Sequence, residues 1–230
     1  MDDKRFTRVD YSGFRLSRLT DPRFSHLLLL LGWVGYMVLY LLTENLITPE
    51  RCHPMRCWLD DVTPFCEWFA IPYCLWFLLI IGSLLFFMLY DVDSFRRLSV
   101  YIIITQVVAM AVYVIYPSRQ DLRPAVMPRD NPLCMLMAFI YSVDTPTGVC
   151  PSLHVAYSLG IMSVWLRSKD ASRGFKAFMV ALAISICLST AFVKQHSFVD
   201  IFAALPLSLL AETLVYGRDW WLPRIKRRLS

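Results

Sequence analysis

The stretch Lys194-Gln195-His196-Ser197-Phe198-Val199-Asp200 sets an imidazole and a carboxylate four residues apart, between the apolar runs 181–193 and 198–210. Residues four apart on a helix share a face, so the Asp200 carboxylate reaches one ring nitrogen of His196 and leaves the other pointing outward. That is how a protein makes a histidine nucleophilic. It is equally how a histidine is satisfied at the mouth of a membrane helix, but ionisable pairs in such places are costly and point first to function. A second histidine follows a helix-start pattern, Pro151-Ser152-Leu153-His154. Proline in a first turn, a small hydroxyl residue beside it and free amides at the positive end of the dipole make a phosphate-binding end. Arg123, suited to two phosphate oxygens at once, and Lys194 would complete a cationic pocket. Only His196 has an acid at helical spacing. The asymmetry assigns roles: His196, polarised by Asp200, attacks phosphorus, and His154 protonates the leaving alcohol and later activates water.

The elements that must position these residues are membrane helices. Of the 230 residues, 57% are hydrophobic, and the mean hydropathy is +0.50, far too apolar for an ordinary soluble domain. The expected fold is all-α, a six-transmembrane helical bundle. Its spans are expected at 24–42, 68–90, 98–116, 151–166, 175–193 and 197–216, each near the length needed to cross. Residues 1–23 form a basic N-terminal segment with a short interfacial helix (Phe6, Val9, Phe14, Leu16, Leu19). Residues 24–216 are the membrane domain, and 217–230 a basic tail. The first apolar run has no small-residue cleavage site after it and is expected to stay as a helix. Residues 91–97 read as a tight polar turn, and 133–141 as an apolar piece too short to cross.

Six spans put both termini on one side, and the basic residues say which. The N-terminal segment, Arg96 and Arg97, the 167–176 turn and the tail hold 17 of the 23 Lys and Arg. Arg51, Arg56, Arg119, Arg123, Arg129 and Lys194 hold the other six. Cytoplasmic loops carry the excess, so the termini are expected in the cytoplasm of a multi-pass cell-membrane protein. Arg123, the start of span four and the His196 region then meet at the extracytoplasmic face, which their separation in sequence does not require. The net charge of +5 is accounted for by these topology clusters, with no nucleic-acid partner implied.

Arg123-Pro124, then Pro151-Ser152-Leu153-His154, then Ser189 with His196 seven residues later and Asp200 four beyond that, together resemble the three-part signature of the type-2 phosphatidic acid phosphatase superfamily. The resemblance covers about residues 60–205. It implies a six-helix membrane bundle acting on lipid phosphates without a metal or other cofactor. Position by position, it makes Arg123 the phosphate-binding arginine, and Ser152 and His154 the serine and acid histidine of the second motif. Ser189 opens the third motif, and His196 and Asp200 are the nucleophile and its partner. Tyr116 stands where the first motif usually has lysine, with Arg119 one turn nearer. Leu153 replaces the usual glycine, and Thr190 an arginine, leaving Lys194 as the substitute cation. Asp61-Val62-Thr63-Pro64-Phe65, then Ile71-Pro72-Tyr73 and Trp76, is similar to an earlier element of the branch related to inositol phosphorylceramide synthases.

The preferred expectation is a phosphatase whose substrate is a phospholipid, sphingolipid or isoprenoid phosphate. A lipid phosphotransferase using the same nucleophile is the nearest alternative, and a transporter or non-catalytic lipid-binding relative the next. The remaining conspicuous residues have plainer readings. The outer-loop cysteines Cys52, Cys57, Cys66, Cys134 and Cys150 match no zinc spacing, and a loop disulfide or free thiols are expected. Trp68, Phe69, Tyr73, Trp76 and Phe77 read as an interfacial or lipid-facing stripe. Asp60, Asp61 and Asp144 read as solvated loop acids, Asp144 lying near enough to span four to meet a head group. His26 and His53 are given no catalytic role.

The charge split makes a direct prediction. A Ser172→Cys variant in intact cells should resist a membrane-impermeant thiol reagent until the membrane is broken, whereas labelling before breakage would reverse the orientation.

Overall fold

In the computed structural model, which describes residues 7–224, the chain is an all-α bundle with one two-residue strand pair. Among the described residues, eight α-helices occur: α1 (Leu31–Leu46), α2 (Trp58–Val62), α3 (Ala70–Tyr90), α4 (Val92–Ile115), α5 (Pro132–Val143), α6 (Leu153–Arg167), α7 (Arg173–Phe192) and α8 (Phe198–Tyr216). Among the described residues, five stretches are long and apolar enough to cross a membrane: Ser25–Thr43, Glu67–Tyr90, Val92–Ile115, Arg173–Phe192 and Phe198–Arg224. Helix α6, at 15 residues, would rise only about 22 Å, short of the hydrocarbon thickness. It is the central helix, packed by α3, α4, α7 and α8.

Helix α6 is fixed to its neighbours along its length. Trp165 Nε1 donates to Ser83 Oγ of α3 at 2.9 Å, within the buried core. Arg167 pairs with Glu212 of α8, and Ser163 Oγ donates to the same carboxylate at 2.7 Å. Against α4 there is no room for a side chain at Gly160, where an added Cβ would run into the Tyr101 ring. The loop before α6 is pinned as well. Tyr113 Oη donates to the Pro151 carbonyl at 2.8 Å, and Ser118 Oγ accepts from the Val149 and Cys150 amides. Gly148 takes φ +61 there, its bare Cα against the Tyr113 ring.

The loops before α2, α3 and α5 fold on each other. Strands β1 (His53–Pro54) and β2 (Ser118–Arg119) pair in parallel, and buried Glu67 takes a two-pronged bond from Arg129 plus one from Asn131. Residues 133–141 lie within α5, held by an Asn131 cap and Pro132 at its start.

Several expectations change. The polar turn at 91–97 reduces to Asp91 alone, which caps α4 through the Ser94 amide and so lets the helix begin at Val92. Among the described residues of the N-terminal segment, the expected interfacial helix is reduced to a 3-10 turn at Leu16–Arg18. Instead the Val9 amide and Tyr11 hydroxyl donate to the Leu89 and Met88 carbonyls at the end of α3. Phe6, Lys4 and Arg5, and Lys226, Arg227 and Arg228 in the tail, lie outside the described residues. All seven cysteines are free thiols, with Cys52 and Cys134 buried, so no loop disulfide forms.

The Gly160–Tyr101 contact is testable. Gly160→Ala should lower the stability of the detergent-solubilised protein by about 1–3 kcal/mol through overpacking. Adding Tyr101→Leu should recover part of the loss, because the two sites touch. Thermal melts of the single and double variants check this, and additive losses would contradict it.

Candidate active site

His196 sits in the five-residue turn between α7 and α8, one residue before the Ser197 cap, and not on the helix itself. The expected contact with Asp200 forms, but by another route. Asp200 is the third residue of α8 and reaches back to the Ser197 amide at 3.0 Å, closing a capping box. The same oxygen, Oδ2, lies 3.2 Å from His196 Nδ1. Asp200 is fully buried, and a carboxylate there must collect donors to remain charged. Accepting from the Nδ1–H sets the tautomer and leaves the Nε2 lone pair of His196 outward.

That lone pair points at the second histidine, His154 Nδ1, 3.3 Å away. His154 has rings where His196 has an acid. It stacks on Tyr73 at 4.9 Å and lies against Trp76 at 4.0 Å between centroids, and Trp76 in turn stacks on Tyr157. With Nδ1–H donated to His196 Nε2, the pair is one hydrogen-bonded line, Asp200 to His196 to His154. Helix α6 begins beside it. The Ser152 amide donates to the Asp200 carbonyl at 3.1 Å, tying the starts of α6 and α8 together. Pro151 lies outside α6, joined to Cys150 by a cis peptide bond, so it is not the first-turn proline expected. Ser152 is the N-cap, its Oγ accepting from the Val155 amide at 3.4 Å. The amides of Leu153 and His154 remain without an intrahelical partner, as in any first turn.

The cations are placed differently from expectation. Arg123 approaches from the loop after β2 and is bound on every side. It donates to Gln195 Oε1 at 2.6 and 3.1 Å, to Asp144 Oδ2 at 3.2 Å, and to the Tyr141, Asp144 and Thr145 carbonyls. Gln195 Nε2 also donates to Asp144, so Arg123, Asp144 and Gln195 form one network immediately before His196. Lys194 turns away from the histidines and donates to the carbonyls of Asp60 at 3.0 Å and Thr63 at 2.5 Å. Burial lowers its pKa from the ordinary value, opposed by Asp60 and Asp61. Arg119 goes to Asp121 and the Pro49 carbonyl, and Ser189 Oγ bonds back to Ile186 within α7. Of the expected phosphate ligands, only Arg123 and the α6 start reach the histidine neighbourhood. Lys194 and Ser189 instead donate to backbone carbonyls.

Four residues that the sequence did not single out as site residues are part of it. Tyr73 and Trp76 were expected to face lipid, yet Tyr73 is buried and both hold His154; their spacing of three on one helix was the available signal. Asp144 is engaged by Arg123, not merely solvated. Asp60 is 5% exposed and bonds across the fold to α8, whereas Asp61 remains exposed and pairs with Arg56. Cys150 lies close to Asp200, and its thiol is pushed up to about 12 by burial and then by that carboxylate. It is not poised as a nucleophile. Cys52, His53, Cys57 and Cys66 do not gather into a metal-ligand set among the described residues. His53 stacks on Tyr116, and buried His26 meets Tyr11 Oη at 2.8 Å.

Comparison with models of known families, with characterised proteins and with solved structures returns no match.

Proposed function

We propose that the chain is a membrane enzyme that cleaves a lipid phosphate through a phosphohistidine on His196. The observation that carries the reading is the line Asp200 Oδ2, His196 Nδ1, His196 Nε2, His154 Nδ1, with contacts of 3.2 and 3.3 Å. It supplies an oriented lone pair with a proton donor at the same point. The resemblance of the three motifs to the type-2 phosphatidic acid phosphatases agrees with it.

In the reaction the phosphoryl group enters between the two rings and replaces their mutual hydrogen bond. His196 Nε2 forms the bond to phosphorus, the bond to the leaving oxygen breaks, and His154, entering this step as the imidazolium, gives its Nδ1 proton to that oxygen and is left as the neutral imidazole. Asp200 stabilises the positive charge that develops on His196. His154, now unprotonated, then takes a proton from water as the water oxygen attacks phosphorus. The phosphorus–nitrogen bond breaks, and free phosphate leaves. Arg123 and the first amides of α6 stabilise the phosphoryl oxygens. On this reading α6 is the sixth crossing element, both termini face the cytoplasm and the site opens to the outer leaflet.

One observation favours a second reading, transfer of the phosphoryl-bearing group to an alcohol. The Arg123 guanidinium is shared with the Asp144 carboxylate, which leaves less net positive charge than a phosphomonoester dianion would draw. A singly charged phosphodiester, with Asp144 facing its head group or an acceptor hydroxyl, suits the pair better.

Purified protein supplied with labelled lipid phosphates, with and without alcohol acceptors, separates the two outcomes. Release of free phosphate regardless of acceptor supports the phosphatase, and acceptor-dependent turnover the transferase. In either case His196→Ala should abolish turnover. His154→Ala should lose on the order of 10²–10⁴-fold with alkyl leaving groups and far less with a nitrophenyl leaving group, which needs little protonation. Equal losses on both substrates would overturn the division of roles.

A further inference from the structure

Asp60 belongs to α2, whose five residues lie more than 130 positions before the His196 turn, yet it grips that turn at both ends. Its carboxylate accepts the Ser197 hydroxyl proton at 2.6 Å and the Phe198 amide at 3.0 Å. The remaining side-chain bond closes locally, from the Cys57 amide at 2.8 Å. Its backbone carbonyl takes the Lys194 ammonium at 3.0 Å. Because the Ser197 hydroxyl donates to Asp60, its lone pairs face the Val199 amide, 3.1 Å away, and its proton direction is fixed. Lys194 takes a left-handed backbone, φ +53, which crowds the Cβ of any residue but glycine and is unfavourable. The two carbonyl bonds of its ammonium oppose that cost.

Residues 194, 197 and 198 are therefore anchored to one aspartate, and His196 stands between the anchors, bonded to Asp200 and His154. We propose that Asp60 is a positioning residue, the clamp that fixes the turn so that the outward nitrogen of His196 meets His154 and the phosphoryl site. The geometric claim stands on its own, and its kinetic consequence rests on the reading of His196 as nucleophile. A capping role confined to α2 would leave His196 unmoved when Asp60 is changed. A clamp would not.

Full-length protein in detergent micelles, labelled with nitrogen-15 at its four histidines, provides the test, with His196 assigned through His196→Gln. In the wild type His196 should show a single tautomer, protonated at Nδ1. In Asp60→Asn, which keeps the side-chain shape but puts a donor where two donors arrive, the His196 signals should move toward a mixture of tautomers. Those of His26, in its own pocket, should stay. Turnover should fall about 100-fold, the scale of a 1 Å misplacement, with KM within about threefold, since an interaction used in the transition state is what is lost. Unchanged His196 signals in folded Asp60→Asn would overturn the proposal. If that variant does not fold, Lys194→Gly relieves the backbone and removes only the ammonium tie. It should move the His196 signals by less, and no movement there would equally overturn the clamp. Should the wild type turn over no lipid phosphate, the functional reading fails, while the nitrogen signals still decide the clamp.

Discussion

The start of α8 holds two buried carboxylates, and the site depends on how they are satisfied. Asp200 is fully buried and Asp60 nearly so, and removing a partner from such a group typically costs 3–5 kcal/mol. Apart from the Cys57 amide, which bonds Asp60 locally, their donors come from one short segment. Ser197 gives its amide to Asp200 and its hydroxyl to Asp60, Phe198 gives its amide to Asp60, and His196 gives Nδ1–H to Asp200. The bonds to Asp60 and to Oδ2 of Asp200, whose Oδ1 is buried without a hydrogen-bond partner, thus fix the histidine. The Asp200 carbonyl then takes the Ser152 amide, and the start of α6, with His154, is brought to the same point. His196 and His154 meet because two helix starts share one buried acid.

The charges around this point are spent within the protein. Arg123 faces Asp144 and Gln195, and Lys194 faces two carbonyls. On the proposed reading, a substrate phosphate would have to compete with Asp144 for Arg123, so binding would be set by exchange of partners and not by open positive charge. A head group that engages Asp144 as its phosphate takes Arg123 would recover both interactions. At the opposite end of the bundle a cavity of about 450 Å³ lies between α4, α6, α8 and the segment after α8. Among the residues that line it, Arg167 and Glu212 are paired with each other.

Much of this was legible in sequence because the membrane imposes it. Long apolar runs can only be helices where no water satisfies the backbone, and the five long stretches fall close to where hydropathy puts them. The meeting of His196, Asp200 and His154 followed from loop alternation and motif spacing. The mechanism of the His196–Asp200 contact did not, because the i, i+4 spacing fits a helix face as well as a residue just before a capping box. Lys194 and Asp60 were misread for a related reason. Charge invites a reading as ligand or as solvated surface, whereas their bonds run across more than 130 residues and leave no local pattern. Tyr73 and Trp76 look in composition like any interfacial stripe, and only packing against His154 distinguishes them.

The central claim is that His196 Nε2 is the atom that takes the phosphoryl group. Rapid mixing of the wild-type protein with a phosphorus-32 lipid phosphate, quenching in alkali to preserve phosphohistidine, and peptide mapping test it directly. The label should be on His196, at Nε2, because Nδ1 is held by Asp200. Label on His154, or full turnover with no labelled protein at any time, would contradict the account.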